Sequence, residues 1–412
     1  MRRRKKTIEQ VEVIDIADKG HSIGKTPSGE ILLIDGAVPG DNIDMVVLRK
    51  KKGLKFGKVL KINTYSEYRT EPFCGHFNQC GGCKWQNLNY EKQAELKENA
   101  VKAAIRRIAD DDEGKVESIL KGKKTRYYRN KLEYAFSNKR WLTEEEISSE
   151  EVIEARNAVG FHKAGAFDKV VEIEQCHLQE DLSNKVRNHL RDKALEKGYT
   201  FYDIRNNHGL LRNLTIRNTT TGQWMVTVVF GEKKDQIQEI MIDLSTTFTD
   251  ITSWYYMINE KKNDSVHDQV AIHYKGEKGI IENLGHIKCY IGPKSFFQTN
   301  STQAVNLYQI AIDYAELSAD DILYDLYTGT GTIALYAAKF CKMVVGIEQI
   351  PEAIDDANHN STINNITNCN FLVGDVRDTL SLEYKEKYGA PDVLITDPPR
   401  AGMHADVIST IL

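Results

Sequence analysis

The stretch Asp321-Ile-Leu-Tyr-Asp-Leu-Tyr-Thr-Gly-Thr-Gly331-Thr-Ile-Ala334 decides the fold class of this 412-residue chain. Ile322–Leu326 reads as a short buried strand that enters a glycine loop and then a helix through Ala338, the opening of a βαβ unit. The rhythm repeats with a strand over Met343–Glu348, a helix over 351–364, and strands over 370–374 and 392–396. Parallel strands separated by helices predict a doubly wound, Rossmann-like sheet within residues 291–412. Leu412 falls in what reads as the helix after the fourth strand, so the sheet is expected to be incomplete and the chain a fragment of a longer protein.

Upstream the pattern is different. Short strands over 11–17, 30–35, 41–50 and 56–63, with a glycine turn over 20–24, predict a small barrel of oligonucleotide-binding type within residues 1–70. Between two of its strands lies Arg49-Lys-Lys-Lys52-Gly-Leu-Lys55, a basic hairpin tip suited to touching phosphates. A cysteine-rich loop occupies 71–90, and a polar helix comes next over 90–108. The run Asp110-Asp-Asp-Glu113-Gly reads as a break. The region 91–290 reads as α+β, with strands over 128–136, 213–230 and 253–259, helices near 181–197 and 233–243, and an acidic loop over 144–154.

Composition narrows the class. With 41% hydrophobic and 28% charged residues the chain can bury several cores. No apolar run approaches the roughly 18 to 20 residues of a membrane span, and the start Met1-Arg-Arg-Arg-Lys-Lys6 has no apolar segment behind it. A cytoplasmic setting without membrane association is expected, where seven cysteines point to metal ligands or reactive thiols. The net charge of -4 is uneven: residues 1–70 carry 15 Lys+Arg against 9 Asp+Glu, so the remainder is acidic. A basic unit on an acidic body suits a polyanion such as RNA.

Three groups of residues carry chemistry. Cys74, Cys80 and Cys83 are separated by five and two residues, including Gly75, Gly81 and Gly82, so their thiols can turn around one metal centre, with Cys176 as the best fourth ligand. Four thiolates suit zinc and a four-iron cluster alike. The second group is Asp325, Gly329, Gly331 and Glu348: the glycines admit a ligand to the backbone, and the carboxylate ending the second strand can accept two ribose hydroxyls. Gly329-Thr-Gly331-Thr-Ile-Ala334 also fits a dinucleotide fingerprint, which keeps NAD open, whereas Asp325 suits a cationic amino-acid moiety better than a pyrophosphate. Asp397-Pro-Pro-Arg400 comes after the fourth strand as a stiff lip that places Asp397 and Arg400 at the cleft. The third group, Ser295-Phe-Phe-Gln-Thr-Asn300, is expected to pack its aromatics at a domain junction and to aim Gln298 and Asn300 into the cleft.

Together these residues resemble the bacterial RNA uracil C5 methyltransferases, specifically the 23S ribosomal RNA branch with an N-terminal TRAM domain and a four-iron cluster. The resemblance covers essentially the whole chain and is most specific in Cys74, Cys80, Cys83 and Cys176, in Phe296-Phe-Gln298-Thr-Asn300, and in Asp397-Pro-Pro-Arg400-Ala-Gly402. It implies S-adenosylmethionine held by Gln298, Tyr327, Glu348 and Asp397, with Asp375 near the adenine, and a 4Fe-4S cluster on the four cysteines. It implies a monomer acting on ribosomal RNA, since family members without the barrel or cluster act on transfer RNA. The family's nucleophilic cysteine and general-base glutamate come after the Asp-Pro-Pro-Arg lip, so both are expected beyond Leu412 and the 412 residues alone are expected to be inactive. An N6-adenine methyltransferase, an NAD-dependent oxidoreductase and a non-enzymatic RNA-binding protein are the rival readings.

Overall fold

A computed structural model describes residues 6–109, 116–149, 152–379 and 382–411. The chain divides into two compact units, Met1–Thr125 with Phe161–Cys176, and Arg126–Gly160 with His177–Leu412. The expected break at 110–114 lies outside the described residues. No helix among those residues is long and apolar enough to cross a membrane.

The first unit begins with a closed barrel of β1 (Thr7–Ile16), β2 (Ser22–Lys25), β3 (Ile31–Asp35), β4 (Asn42–Lys51) and β5 (Leu54–Thr64), in the order β1-β2-β3-β5-β4. β3 and β5 pair in parallel and the other neighbours antiparallel. Alternate residues Val11, Val13, Leu32, Ile34, Ile43 and Met45 fill the interior, the period of two that a half-buried strand requires. The 20–24 segment expected as a turn instead contains β2. Gly24 belongs to the strand because a Cβ there would lie 2.4 Å from Ile34 Cδ1, so the glycine marks close packing inside the barrel. Asp41 ties the barrel to the segment after β5, accepting Val38 N–H at 2.8 Å, Ser66 N–H at 3.0 Å and Arg69 Nη2 at 2.7 Å.

The basic tip sits at the β4–β5 turn, where Lys52 and Gly53 both have positive φ (48° and 84°), the backbone of a tight hairpin. Lys50, Lys51 and Lys52 are exposed there. Arg49 stacks 4.5 Å over Phe56 and Lys55 pairs with Glu30 at 2.6 Å, so the tip's flanks are fixed. Beyond the cysteine loop, α1 (Tyr90–Ala104) starts at Asn89, whose side chain accepts Lys92 N–H at 2.8 Å.

In the second unit, β6 (Lys131–Ser137) is succeeded by α2 (Glu144–Ser148) and by β7 (Ala158–Lys163), whose last residues pass into the first unit. The next strand, β8 (Ala166–Glu172), belongs to the first unit. The acidic segment expected as a loop therefore holds a helical turn. Its cause is a capping box: Thr143 Oγ1 accepts Glu146 N–H at 3.2 Å and Glu146 Oε2 accepts Thr143 N–H at 2.9 Å.

The chain continues through α3 (Asp181–Glu196), β9 (Leu211–Asn218), β10 (Trp224–Phe230), α4 (Gln236–Thr247), β11 (Ser253–Ile258) and β12 (Ile272–Gly276). Within this unit the sheet order is β12-β11-β10-β9-β6-β7. The single 213–230 strand read from the sequence is two antiparallel strands. Asn218-Thr-Thr-Thr-Gly222 turns between them, with Gly222 at φ 81°. A hairpin of β13 (Ile280–Leu284) and β14 (Ile287–Ile291) leads to α5 (Ser301–Ala315).

Then come β15 (Ile322–Leu326), α6 (Thr332–Ala337), β16 (Met343–Glu348), α7 (Pro351–Ile363), β17 (Cys369–Val373), α8 (Val376–Thr379), α9 (Leu382–Tyr388), β18 (Val393–Thr396) and α10 (Ala405–Ile411). The strands form a parallel sheet in the order β17-β16-β15-β18. Apolar side chains alternate between its faces: Leu323 and Val344 pack on one side, Tyr324, Leu326, Val345 and Ile347 on the other. The chain steps outward from β15 to β17 and then returns to the opposite side of β15. That reversal opens a crevice at the carboxyl ends of β15 and β18.

Candidate functional site

The crevice is framed by the loop after β15, the end of β16 and the lip after β18. Tyr327 takes φ 66° and Gly329 φ 56°, which turns the loop sharply back toward the sheet, where Thr328 N–H donates to Ile347 O at 3.0 Å. The two glycines serve different ends. A Cβ on Gly331 would stand 2.9 Å from Ala357 Cβ and from Phe371 Cζ, so this glycine lets helix and strand pack closely. A Cβ on Gly329 would meet nothing within 4 Å, so that side of the loop is open to a ligand.

Asp325 ends the first strand almost fully buried, at 1% exposure. Its Oδ2 accepts Thr328 Oγ1 at 2.6 Å and Ala334 N–H at 3.0 Å, while its Oδ1 is buried with no hydrogen-bond partner among the described residues. Burial pushes the carboxyl up to about 7; the two hydrogen bonds oppose the shift, and the charges of Asp397 and Glu348 add to it. A buried acceptor with an open oxygen fits a cationic group, which would relieve its desolvation.

Glu348 ends the second strand, with Oε2 accepting Gly329 N–H at 3.2 Å and Oε1 accepting Ile350 N–H at 3.1 Å. Each oxygen keeps a lone pair, enough for the two hydroxyls of a ribose. Asp397 is exposed at the lip and accepts Gln298 Nε2 at 3.1 Å, joining two sequence motifs 99 residues apart. Arg400 is exposed on the same lip. Asp375 lies just after β17, and its carboxylate is clamped by Arg377 at 2.6 and 3.0 Å, which holds it at about 2.

The 295–300 loop differs from expectation in two respects. Phe297 is buried, whereas Phe296 is 69% exposed, so only one of the two aromatics packs. Asn300 does not aim into the cleft; its side chain caps α5 by accepting Gln303 N–H at 3.1 Å. Residues the sequence does not single out hold this loop. Arg217 Nη2 donates to Ser295 O at 2.5 Å, Ser295 Oγ to Asp356 Oδ2 at 2.5 Å, and Asn130 to the carbonyls of Gln298 and Thr299 at 2.8 Å each. Isolated polar residues such as these carry no local signal for such a role.

The three cysteines of the second unit are unsuited to nucleophilic work in this arrangement. Burial pushes Cys289 up to about 12, Cys341 to about 11 and Cys369 to about 12, so their thiols stay protonated.

Cys74, Cys80, Cys83 and Cys176 all lie in the first unit. His76 Nε2 accepts Glu174 N–H at 3.1 Å, which ties the 74–83 loop to the segment before Cys176. Burial pushes the Cys80 thiol up to about 11; the Gly82 N–H, 3.4 Å from its sulfur, opposes this, and Cys83, Cys176 and Cys74 add to it. The four sulfurs therefore share one electrostatic neighbourhood. Among the described residues no group of three or more His, Cys, Asp or Glu side chains is arranged to hold a metal ion. That geometry supports neither the zinc ion nor the four-iron cluster expected from the cysteine spacing.

Residues 317–405 match a family of methyltransferase domains. Over 401 residues the chain is 45% identical to an uncharacterised RNA methyltransferase of Bacteroides thetaiotaomicron, covering 96% of this chain and 88% of that protein. A second uncharacterised RNA methyltransferase, of Porphyromonas gingivalis, is 43% identical over 408 residues, with 98% and 88% covered. Among solved structures, the Pyrococcus abyssi tRNA (uracil-54, C5)-methyltransferase in complex with S-adenosyl-L-homocysteine superposes with a TM-score of 0.71 at 26% identity, covering 97% of this chain and 87% of that one. On identity sustained along its whole length, this chain belongs to the RNA methyltransferases.

Proposed function

We propose that this protein methylates carbon 5 of a uridine in 23S ribosomal RNA, using S-adenosylmethionine as the methyl donor. The observation that carries the reading is the buried Asp325 carboxyl with its open Oδ1, set beside Glu348. An ammonium suits the first and a ribose the second, and S-adenosylmethionine presents both. The solved neighbour supports carbon 5 of uracil by its own named activity and its bound S-adenosyl-L-homocysteine.

When bound, the donor supplies an electrophilic methyl group on a sulfonium. Glu348 holds the ribose, Asp325 accepts the ammonium, Tyr327 and Asp375 border the adenine, and Gln298 with Asp397 shapes the space between methyl and uracil. Carbon 5 of uracil is a weak nucleophile, so the reaction requires a thiolate to add at carbon 6, which makes carbon 5 enolate-like. Carbon 5 then takes the methyl group as the sulfonium carbon–sulfur bond breaks to leave a neutral thioether, after which a base removes the carbon 5 proton and the thiolate leaves. Burial raises the thiols of Cys289, Cys341 and Cys369, which disfavours each of them as that thiolate.

We further assign Cys74, Cys80, Cys83 and Cys176 to a 4Fe-4S cluster with a structural role, since methyl transfer needs no electron. The cysteine pattern and the barrel favour ribosomal over transfer RNA, whereas the named substrate of the solved neighbour supports the transfer RNA reading. Incubation of unmodified 23S ribosomal RNA and transfer RNA transcripts with methyl-labelled donor decides between them. Label in 5-methyluridine of the ribosomal transcript is expected; label confined to transfer RNA would move the substrate, and label in adenine would overturn the reaction.

A further inference from the structure

Gln298 reaches Asp397 from a loop whose backbone is gripped from behind by one buried side chain. Asn130, at 7% exposure, precedes β6 in the middle sheet and bonds through both its backbone groups and its amide nitrogen. Its backbone N–H donates to Thr299 O at 2.8 Å and its carbonyl accepts Asn218 N–H at 3.0 Å. Its amide Nδ2 donates both to Gln298 O and to Ser301 Oγ, each at 2.8 Å. Ser301 passes the chain on, its hydroxyl donating to Glu282 Oε2 at 2.5 Å. Glu282, fully buried on β13, also receives the N–H groups of Thr220 at 3.1 Å and of Asn283 at 3.0 Å. A buried network of this kind favours one arrangement, because any slip strands a donor or an acceptor away from water.

We propose that Asn130 is a positioning residue, which sets the backbone of Gln298 so that its side chain meets Asp397 at the methyl-transfer site. The inference rests on the placement of Gln298 in the donor site proposed above. Among the described residues, Asn130 alone bonds the Gln298 carbonyl, the Thr299 carbonyl and the Ser301 hydroxyl together, which span the turn from the Gln298 side chain to the first residue of α5. Loss of its side-chain donors frees the peptide that carries Gln298, while Arg217 still pins Ser295 and Asn300 still caps α5.

The test is a double-mutant cycle on S-adenosylhomocysteine affinity, read by calorimetry, with Glu348→Ala as a control for the site itself. Asn130→Ala and Gln298→Ala are each expected to weaken binding roughly tenfold, the scale of removing one buried hydrogen bond. The double variant should bind no more weakly than Gln298→Ala alone. Effects that multiply would overturn the proposal, as would unchanged affinity in Asn130→Ala accompanied by a lower Tm, the signature of a purely structural residue. If Gln298→Ala binds normally while Glu348→Ala does not, the placement of Gln298 fails and the proposal falls with it. If all three bind normally, the donor-site reading itself is wrong. Should Asn130→Ala not fold, Asn130→Asp keeps the volume and the backbone bonds while removing the Nδ2 donors, and the same cycle is read on it.

Discussion

The backbone N–H of Gly329 donates to Glu348 Oε2 at 3.2 Å, which couples the loop after β15 to the end of β16. The carboxylate thus does two things: it fixes the loop and keeps lone pairs for a ligand. Glu348→Gln preserves the shape and one acceptor but loses the charge, and should weaken S-adenosylhomocysteine binding by roughly 10- to 100-fold, the range for a hydrogen bond to a charged group. Glu348→Ala should lose more. Calorimetry checks this, and unchanged affinity in both variants would remove Glu348 from the site.

Asp325 sets the stability of the fold against the demands of the site, and the sign of its effect is fixed. Its folded carboxyl is raised to about 7 by burial. Below the unfolded pKa near 3.8 its contribution to stability is fully present, and it is lost progressively as pH rises from there through about 7, a loss on the order of 4 kcal/mol. Asp325→Asn should therefore raise Tm most at pH 8, less at pH 5 and little below about pH 4, and abolish donor binding. A cation placed at Oδ1 favours the ionised form, so binding to the wild type at pH 6 should release a proton. Calorimetry in buffers of different ionisation enthalpy reads that directly; no proton release at pH 6 would show that Asp325 does not meet the ammonium.

Much of the architecture is legible in the sequence because it rests on period and punctuation. Ile322–Leu326 and Met343–Glu348 can be read to the residue, since an apolar run entering a glycine loop, and one ending in a carboxylate, leave little latitude. β2 escapes such a reading because Gly24 looks like a turn residue until Ile34 and Val11 are seen closing on it across the barrel. β9 and β10 merge into one strand because both are buried, and continuous burial erases the alternation that separates strands. In the site, Asp325, Gly329, Gly331, Glu348 and Asp397 lie at strand ends or turns, where sequence position states their placement. Asn130, Arg217 and Glu282 act on residues 60 or more positions away, which no local pattern encodes.

The cysteine set predicts a colour. Protein purified without oxygen should be brown and contain iron and sulfide in equal amounts, about four of each per chain. Cys80→Ser should bleach it and reduce amide protection over 74–90 and around Cys176, because ligation contributes folding free energy. Elemental analysis together with hydrogen exchange tests both halves. A colourless protein holding one zinc would replace the cluster with a single ion, and would require the thiols to draw closer together.

The hairpin tip predicts a salt dependence. Lys50, Lys51 and Lys52 project from the β4–β5 turn, whereas Arg49 stacks on Phe56 and Lys55 pairs with Glu30, so the three exposed lysines can reach a polyanion without giving up either of those pairings. Each phosphate they neutralise releases counterions, and the log-log slope of RNA affinity against salt should flatten by roughly 0.7 to 0.9 for each phosphate left unneutralised. Replacing all three by alanine should therefore weaken RNA binding most at low salt and leave S-adenosylhomocysteine affinity unchanged. Nothing in the barrel interior is touched by the change, since the tip lies beyond Met45 and Val46, the last buried residues of β4. Filter binding of 23S ribosomal RNA fragments between roughly 50 and 200 mM salt, with wild type and triple variant side by side, measures the slope. A slope that does not move would make these lysines a solvated turn and shift the RNA-binding role to another surface.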